Sequence, residues 1–244
     1  MKTLMKHAAI GMLIAAMTAT GIGAQNPPTA KVIKKDFSVT PQTRFELINK
    51  YGNVNIVNRD EPNLTIEATV KVNTRDKGWA EEIQNMIQIQ ISQDGDVIRA
   101  ETEMKEDFGK ALRGFDFGNN GIEINYTVTM PKTVPVNLSN KYGNVLIDEL
   151  TATSTLEVKY GKLSANRIIH DAKEPLTKIY LSYSNGTIQE AKWLEMDMKY
   201  SKITITESKA LAILSKYSKI YVTNGTSIVC ESKYDTYEIG KLSN

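Results

Sequence analysis

The phrase Lys-Tyr-Ser-Lys-Ile occurs twice, at 199–203 and 216–220, and this recurrence limits what the chain can fold into more than any other feature. Tyrosines in the same setting stand at 51, 142, 160, 183, 200, 217 and 234, and the last three steps are 17 residues each (200−183, 217−200, 234−217), after steps of 18 (160−142) and 23 (183−160). The copies read NKYGNVNI (49–56), NKYGNVLI (140–147), VKYGKLSA (158–165), LSYSNGTI (181–188), MKYSKITI (198–205), SKYSKIYV (215–222) and SKYDTYEI (232–239). A short fixed period marks a repeat architecture: each unit is too small to bury a core alone and is held by its neighbours, as in a solenoid.

Aligning the copies on tyrosine separates core from surface. Four residues before it stand Leu47, Leu138, Leu156, Ile179, Met196, Ile213 and Cys230; five after it stand Ile56, Ile147, Ala165, Ile188, Ile205, Val222 and Ile239. Both columns are apolar in every copy, and the column three residues after tyrosine (Val54, Val145, Leu163, Gly186, Ile203, Ile220, Tyr237) is apolar or aromatic in all but one. On a strand the −4 residue and the tyrosine share a side, so the pattern predicts a ring on the core side. The +3 and +5 residues have the opposite parity, which requires a bend between. The small residue after tyrosine (Gly52, Gly143, Gly161, Ser184, Ser201, Ser218, with Asp235 the exception) is the expected bend. The ladder Tyr142, Tyr160, Tyr183, Tyr200, Tyr217 and Tyr234 is then expected to stack in a file at one corner, rings about 4.8 Å apart. Cys230, in the −4 column, reads as a buried small apolar residue.

Elsewhere the alternation of apolar and polar residues predicts strands at 31–39, 44–57, 64–72, 87–92, 97–104 and 122–130. Asp94-Gly95 joins two of them as a hairpin. One helix is expected, at 76–86 (DKGWAEEIQNM), with Trp79, Ile83 and Met86 on one face and Glu81 and Glu82 near its amino end. The segment 105–121 is rich in glycine and carries Phe108, Phe115 and Phe117, rings that fold back over an open part of the core or serve as a partner contact.

The amino terminus has Lys2 and Lys6, an apolar run at 8–17, and small residues before Gln25. This is the pattern of a secretory signal peptide over 1–25, leaving 26–244 as one domain with an insert at 60–121. The run is short of the roughly 20 residues a spanning helix needs, so no transmembrane span is expected once the signal is removed. Of 30 Lys+Arg, two leave with the signal, so the remaining 28 balance the 28 Asp+Glu and net charge implies no polyanionic partner. With Cys230 as sole cysteine there is no intrachain disulfide. His170 as the single histidine after residue 25 gives poor support for a zinc site, so no metal and no cofactor is expected.

The Tyr-Gly-[Asn/Lys]-[Val/Leu] phrase repeated in short coils, following a helix and hairpin insert, resembles the bacterial adhesin-like β-solenoid family, whose domains are often labelled auto-transporter adhesins or left as domains of unknown function. The resemblance covers most of the chain after the signal and is best over 122–239. It implies an all-β protein, a single-stranded β-helix or β-roll of about 17-residue coils, located in the bacterial envelope: periplasm, outer-membrane surface or outside the cell. It carries no catalytic residues to this sequence. Ser182, where other copies have lysine, and Asp235 with Tyr237 depart from the pattern, the last two marking a cap.

The residues left free for chemistry are the lysines. Lys50, Lys141, Lys159, Lys199, Lys216 and Lys233 precede the tyrosines, and Lys162, Lys202 and Lys219 follow two places after them. Stacked coils would line these up as a basic stripe, able to bind an anionic glycan or an envelope protein; nucleic acid is the disfavoured partner. The plain alternative is a solvated face that discourages sheet association. His170-Asp171 lacks an accompanying nucleophile, Asp107-Phe108-Gly109 lacks a kinase context, and 116–121 (DFGNNG) lacks the ordered carboxylates of a calcium loop. The carboxylates Glu157, Glu190, Asp197 and Glu207 are scattered across coils, which disfavours a polysaccharide-cleaving enzyme. The reading is therefore a non-enzymatic adhesin-like scaffold, with a periplasmic partner in envelope signalling as the alternative.

Overall fold

The computed structural model describes residues 29–113, 121–171 and 176–243. The expected signal peptide at 1–25 lies outside these residues, as do Phe115 and Phe117. Among the described residues the protein is all-β with two short helices, in the order β1 (Thr29–Ser38), β2 (Arg44–Lys50), β3 (Val54–Asn58), β4 (Asn63–Asn73), α1 (Lys77–Asn85), β5 (Ile87–Asp94), β6 (Val97–Met104), α2 (Phe108–Ala111), β7 (Gly121–Met130), β8 (Val136–Lys141), β9 (Val145–Leu150), β10 (Thr155–Lys159), β11 (Lys162–Ile168), β12 (Thr177–Ser182), β13 (Asn185–Ala191), β14 (Leu194–Lys199), β15 (Lys202–Lys216), β16 (Lys219–Lys233) and β17 (Thr236–Leu242). Hydrogen-bonded neighbours link the strands into one mixed sheet.

From β8 onward every pairing is parallel, and its offset is the spacing between tyrosines. Thr177 opposes Leu194 and Leu194 opposes Leu211, 17 residues apart each time (194−177, 211−194). Leu156 opposes Leu138 at 18 (156−138) and Ile179 at 23 (179−156), so the longer steps leave the columns in register. The first copy joins the same array: Leu47 opposes Leu138, 91 residues on (138−47). The chain therefore leaves after the first copy and returns from the insert to pair parallel with it.

Within that insert the pairing changes. β4 lies antiparallel between β1 and β7, and β5 antiparallel to β6. β6 pairs with β2 and β7 with β3, both parallel, which fastens the insert to the first copy. In β4 every second residue (Leu64, Ile66, Ala68, Val70, Val72) is buried, as the alternation predicts. The hairpin turns on Gly95-Asp96, one residue later than expected, with Gly95 at φ +55° and Asp94 opposite Val97. The side chain of Asp76 caps α1, accepting from the Trp79 N–H at 3.0 Å. Ala80 and Ile83 face the core, while Glu81 and Glu82 fall beyond the first turn. The expectation of one helix is corrected by α2, four residues that bury Phe108.

The column assignment holds through the stack. Leu47, Leu138, Leu156, Ile179, Met196 and Ile213 are buried, and so are Ile56, Ile147, Ala165, Ile188, Ile205 and Val222. Both columns open only in the last copy, where Ile239 is 37% exposed and Cys230 is exposed. The expectation of a buried Cys230 is thus corrected: β16 there pairs with β15 on one side, while β17 follows it only along 236–242.

Candidate functional site: a tyrosine corner flanked by lysines

In each copy the strand ends at the residue before tyrosine, and the tyrosine itself makes the corner. Tyr51, Tyr142, Tyr160, Tyr183, Tyr200, Tyr217 and Tyr234 all adopt left-handed backbone, with φ between 51° and 62°. The expected bend one residue later is corrected, and with it the expected burial of the ring. Moving the bend onto tyrosine turns its side chain outward and the following residue inward: Gly52, Ser184, Ser201 and Ser218 are buried. Tyr142, Tyr160, Tyr183, Tyr200 and Tyr217 are 41–52% exposed, and Tyr234 is 70% exposed.

A left-handed conformation costs a residue with a side chain about 1–2 kcal/mol. Two features offset it. The backbone ladder runs through the corner without a gap, because each tyrosine N–H donates to the carbonyl before the next tyrosine: Tyr51 to Lys141 at 2.9 Å, Tyr183 to Lys199 at 2.9 Å, Tyr217 to Lys233 at 3.0 Å. The rings also stack. Successive centroids lie 4.9–5.3 Å apart with planes inclined by 6–17°. An aromatic pair contributes about 0.5–1.5 kcal/mol, and an inner tyrosine has two. At the file's beginning Phe108 packs beside Tyr51 at 6.4 Å.

The residue after tyrosine is small because neighbouring copies pass close together there, not because it bends. A Cβ on Gly143 would lie 1.9 Å from the Gly52 carbonyl oxygen, and one on Gly161 2.0 Å from that of Gly143. In these early coils Asn side chains complete the corner, Asn53 accepting from the Asn144 N–H at 2.9 Å and Asn144 from the Lys162 N–H at 3.1 Å. In later coils serine takes over. Ser201 Oγ accepts from the Ser184 N–H at 3.1 Å, Ser218 Oγ from the Ser201 N–H at 3.2 Å, and Asp235 Oδ1 from the Ser218 N–H at 2.6 Å. Asp235 also accepts from Ser215, Ser232 and the Lys233 N–H, and Tyr237 meets Ser215 at 2.6 Å, a polar cluster at the last coil. Burial works to raise the Asp235 carboxyl, but these donors outweigh it and hold it below the usual carboxylate range.

The lysines flank the file in register. On one side Lys50, Lys141, Lys159, Ser182, Lys199, Lys216 and Lys233 oppose one another in sequence; on the other, Lys162 opposes Asn185, which opposes Lys202, which opposes Lys219. Ammonium groups approach the rings: Lys141 Nζ lies 4.7 Å from the Tyr142 centroid, Lys216 Nζ 5.2 Å from Tyr217 and Lys233 Nζ 5.6 Å from Tyr234. Lys141 is held above its ordinary range, first by its hydrogen bond to Tyr142. What the corner offers is a ridge of ring edges and phenol hydroxyls repeating about every 5 Å, with cations on both sides.

The other candidates gather into no site. Glu157 pairs with Lys159, Glu190 with Arg167 and Asp197 with Lys199, while Glu207 accepts from Asn224. Asp171 binds Lys192 at 2.6 Å, and His170 Nδ1 lies 3.1 Å from the Thr151 carbonyl oxygen. No group of three or more His, Cys, Asp or Glu residues suited to a metal exists among the described residues. Although the Cys230 residue is exposed, partial desolvation of its sulfur pushes the thiol up, away from a reactive thiolate, while a hydrogen bond to Tyr237 works the other way. Among the described residues no helix is long and apolar enough to cross a membrane.

No protein-family model matches the chain, and no curated protein does. Solved structures similar to it include a candidate cell adhesion protein from Clostridium sporogenes (12% identity, 85% of this chain and 100% of that chain, TM-score 0.38). Others are a candidate adhesin from Parabacteroides distasonis (11%, 86% and 82%, 0.44) and one from Bacteroides fragilis (14%, 87% and 97%, 0.38). Likeness at this level carries no argument about what this chain binds.

Proposed function

We propose that this chain is an exported, non-enzymatic binding protein of the adhesin kind, a β-solenoid of about 17-residue coils whose tyrosine and lysine corner holds a macromolecule in the bacterial envelope. The observation that carries the reading is the exposed file of tyrosines with lysines in register on both sides. Strained backbone maintained copy after copy to turn large rings outward is what a recognition surface requires and a core does not. The leader-like amino terminus supports export. The carboxylates, each engaged with its own partner, support binding over hydrolysis.

A glycan array probed with the chain lacking 1–25, and with its Lys199→Glu, Lys216→Glu double variant, tests this. Binding reduced at least about tenfold in the double variant is expected, since two sign reversals beside the file act on every anionic contact. Binding that survives both changes removes the corner from the mechanism.

A further inference from the structure

Ion pairing divides the lysines beside the file into two sets. Lys159 and Lys199 each share a strand face with a carboxylate two residues earlier, Glu157 at 2.5 Å and Asp197 at 3.7 Å. At Lys216 the corresponding neighbour is Leu214, and among the described residues no carboxylate oxygen lies within 4.0 Å of Lys216 Nζ. Lys202 and Lys219, directly opposed across β15 and β16, have none within that distance either. The three lie in adjoining copies on the two sides of the file, with only Lys216 Nζ at the Tyr217 ring. Lys216 precedes Tyr217 and Lys219 follows it by two, while Lys202 lies one coil back, its Nζ 4.9 Å from the Tyr221 centroid. Lys233 continues the row on the next copy and, like Lys50, Lys141 and Lys162, has no carboxylate oxygen within 4.0 Å among the described residues, but only around Lys202, Lys216 and Lys219 do unpaired lysines oppose one another on both sides of the file.

Resting on the reading of the corner as the binding surface, we propose that its ligand is a linear anionic polysaccharide, and that the ligand's charged groups seat on Lys202, Lys216 and Lys219, straddling Tyr217. Three exposed cations with no carboxylate partner form a local excess of positive charge in a chain whose charges otherwise nearly balance. No wall encloses them, so a small anion gains only solvent-screened contacts, whereas a polymer sums several. The ridge runs from coil to coil, which fits an extended ligand. Single-stranded nucleic acid would bind such a surface by stacking bases on ring faces. Here the inner faces are covered by neighbouring tyrosines, and the edges and hydroxyls that remain match sugar hydroxyls and anionic substituents instead.

Equilibrium binding of the chain lacking 1–25 to dextran sulfate, uncharged dextran, a single-stranded oligonucleotide and inorganic phosphate tests the proposal, with circular dichroism confirming that each variant is folded. Dextran sulfate is expected to bind and uncharged dextran is not. The Lys202→Gln, Lys216→Gln, Lys219→Gln variant should lose at least about tenfold in affinity and flatten the slope of log affinity against log salt by about 2 to 3, one released counterion per lost contact. The control Lys178→Gln, Lys192→Gln, outside the corner and paired with Glu195 and Asp171, should lose less than about threefold. A control that loses as much as the triple variant overturns the placement on Lys202, Lys216 and Lys219. Tighter binding to the oligonucleotide than to dextran sulfate overturns the polysaccharide assignment, and phosphate competing at equal charge concentration overturns the requirement for a polymer. Failure of the unmodified chain to bind dextran sulfate overturns the proposal while leaving the corner to be judged on the glycan array.

Discussion

Tyr200 shows how one residue can satisfy a pattern and still point the wrong way. Its place in the alternation assigns it to the core, and the neighbouring −4, +3 and +5 residues are buried as that alternation demands. The ring is outside because the chain reverses parity at Tyr200 itself, with φ at +51°. Sequence reasoning put the reversal on Ser201 because glycine and small polar residues are the usual occupants of left-handed backbone. What it lacked was the reason for smallness there, the approach of the neighbouring copy, which only the folded structure displays. A consequence is an inverted order of substitutions. Tyr200→Ala should lose about 1–3 kcal/mol, two stacking contacts at about 0.5–1.5 kcal/mol each. Tyr200→Gly should be at least as stable as Tyr200→Ala, by up to about 1 kcal/mol, because glycine is relieved of the left-handed strain. Urea unfolding measures both; at an ordinary strand position glycine would be the worse of the two.

At the scale of the element, the last copy departs from the rest in sequence and in structure for the same reason. Asp235 stands where serine is the rule and gathers the Ser218 and Lys233 N–H groups and the Ser215 and Ser232 hydroxyls on its carboxylate. The departure is legible in the aligned copies, and so is its reading as a cap; the bonds it makes are not. Its carboxyl is held below the usual range when folded. The stabilisation is therefore fully present above the unfolded value of about 3.9 and is lost as pH falls below it. Thermal melts from pH 5 to pH 2 should show a decline that is shallower in Asp235→Asn than in the unmodified chain, with Glu157 and Asp171, also held low, supplying the remainder in both. Equal slopes would mean that the cluster does not keep its carboxylate ionised. The helices divide likewise: α1 announces itself through Asp76 and the spacing of Trp79, Ile83 and Met86, while α2, a single turn among glycines, has too few residues to show a period.

Over the whole molecule, the spacing of the copies was legible, and parallel pairing runs at the same 17, 18 and 23 residues. The return of the chain after the insert was not, since the link from Leu47 to Leu138 spans 91 residues (138−47) and no local pattern reports a contact so distant. The tyrosine file crosses that gap and runs from Tyr51 to Tyr234, the length of the described stack. It has an optical consequence. Identical phenol chromophores held ring to ring in fixed orientation share their excitations, so the corner should absorb and rotate light as one coupled array, not as independent tyrosines. Replacing the middle ring, Tyr183→Leu, divides the array in two and should cost the tyrosine near-ultraviolet circular dichroism more than the one part in eleven owed to a single tyrosine. A loss of one eleventh or less would mean uncoupled rings. A ligand settling along the ridge and tilting the rings would announce itself in the same band, with no label attached.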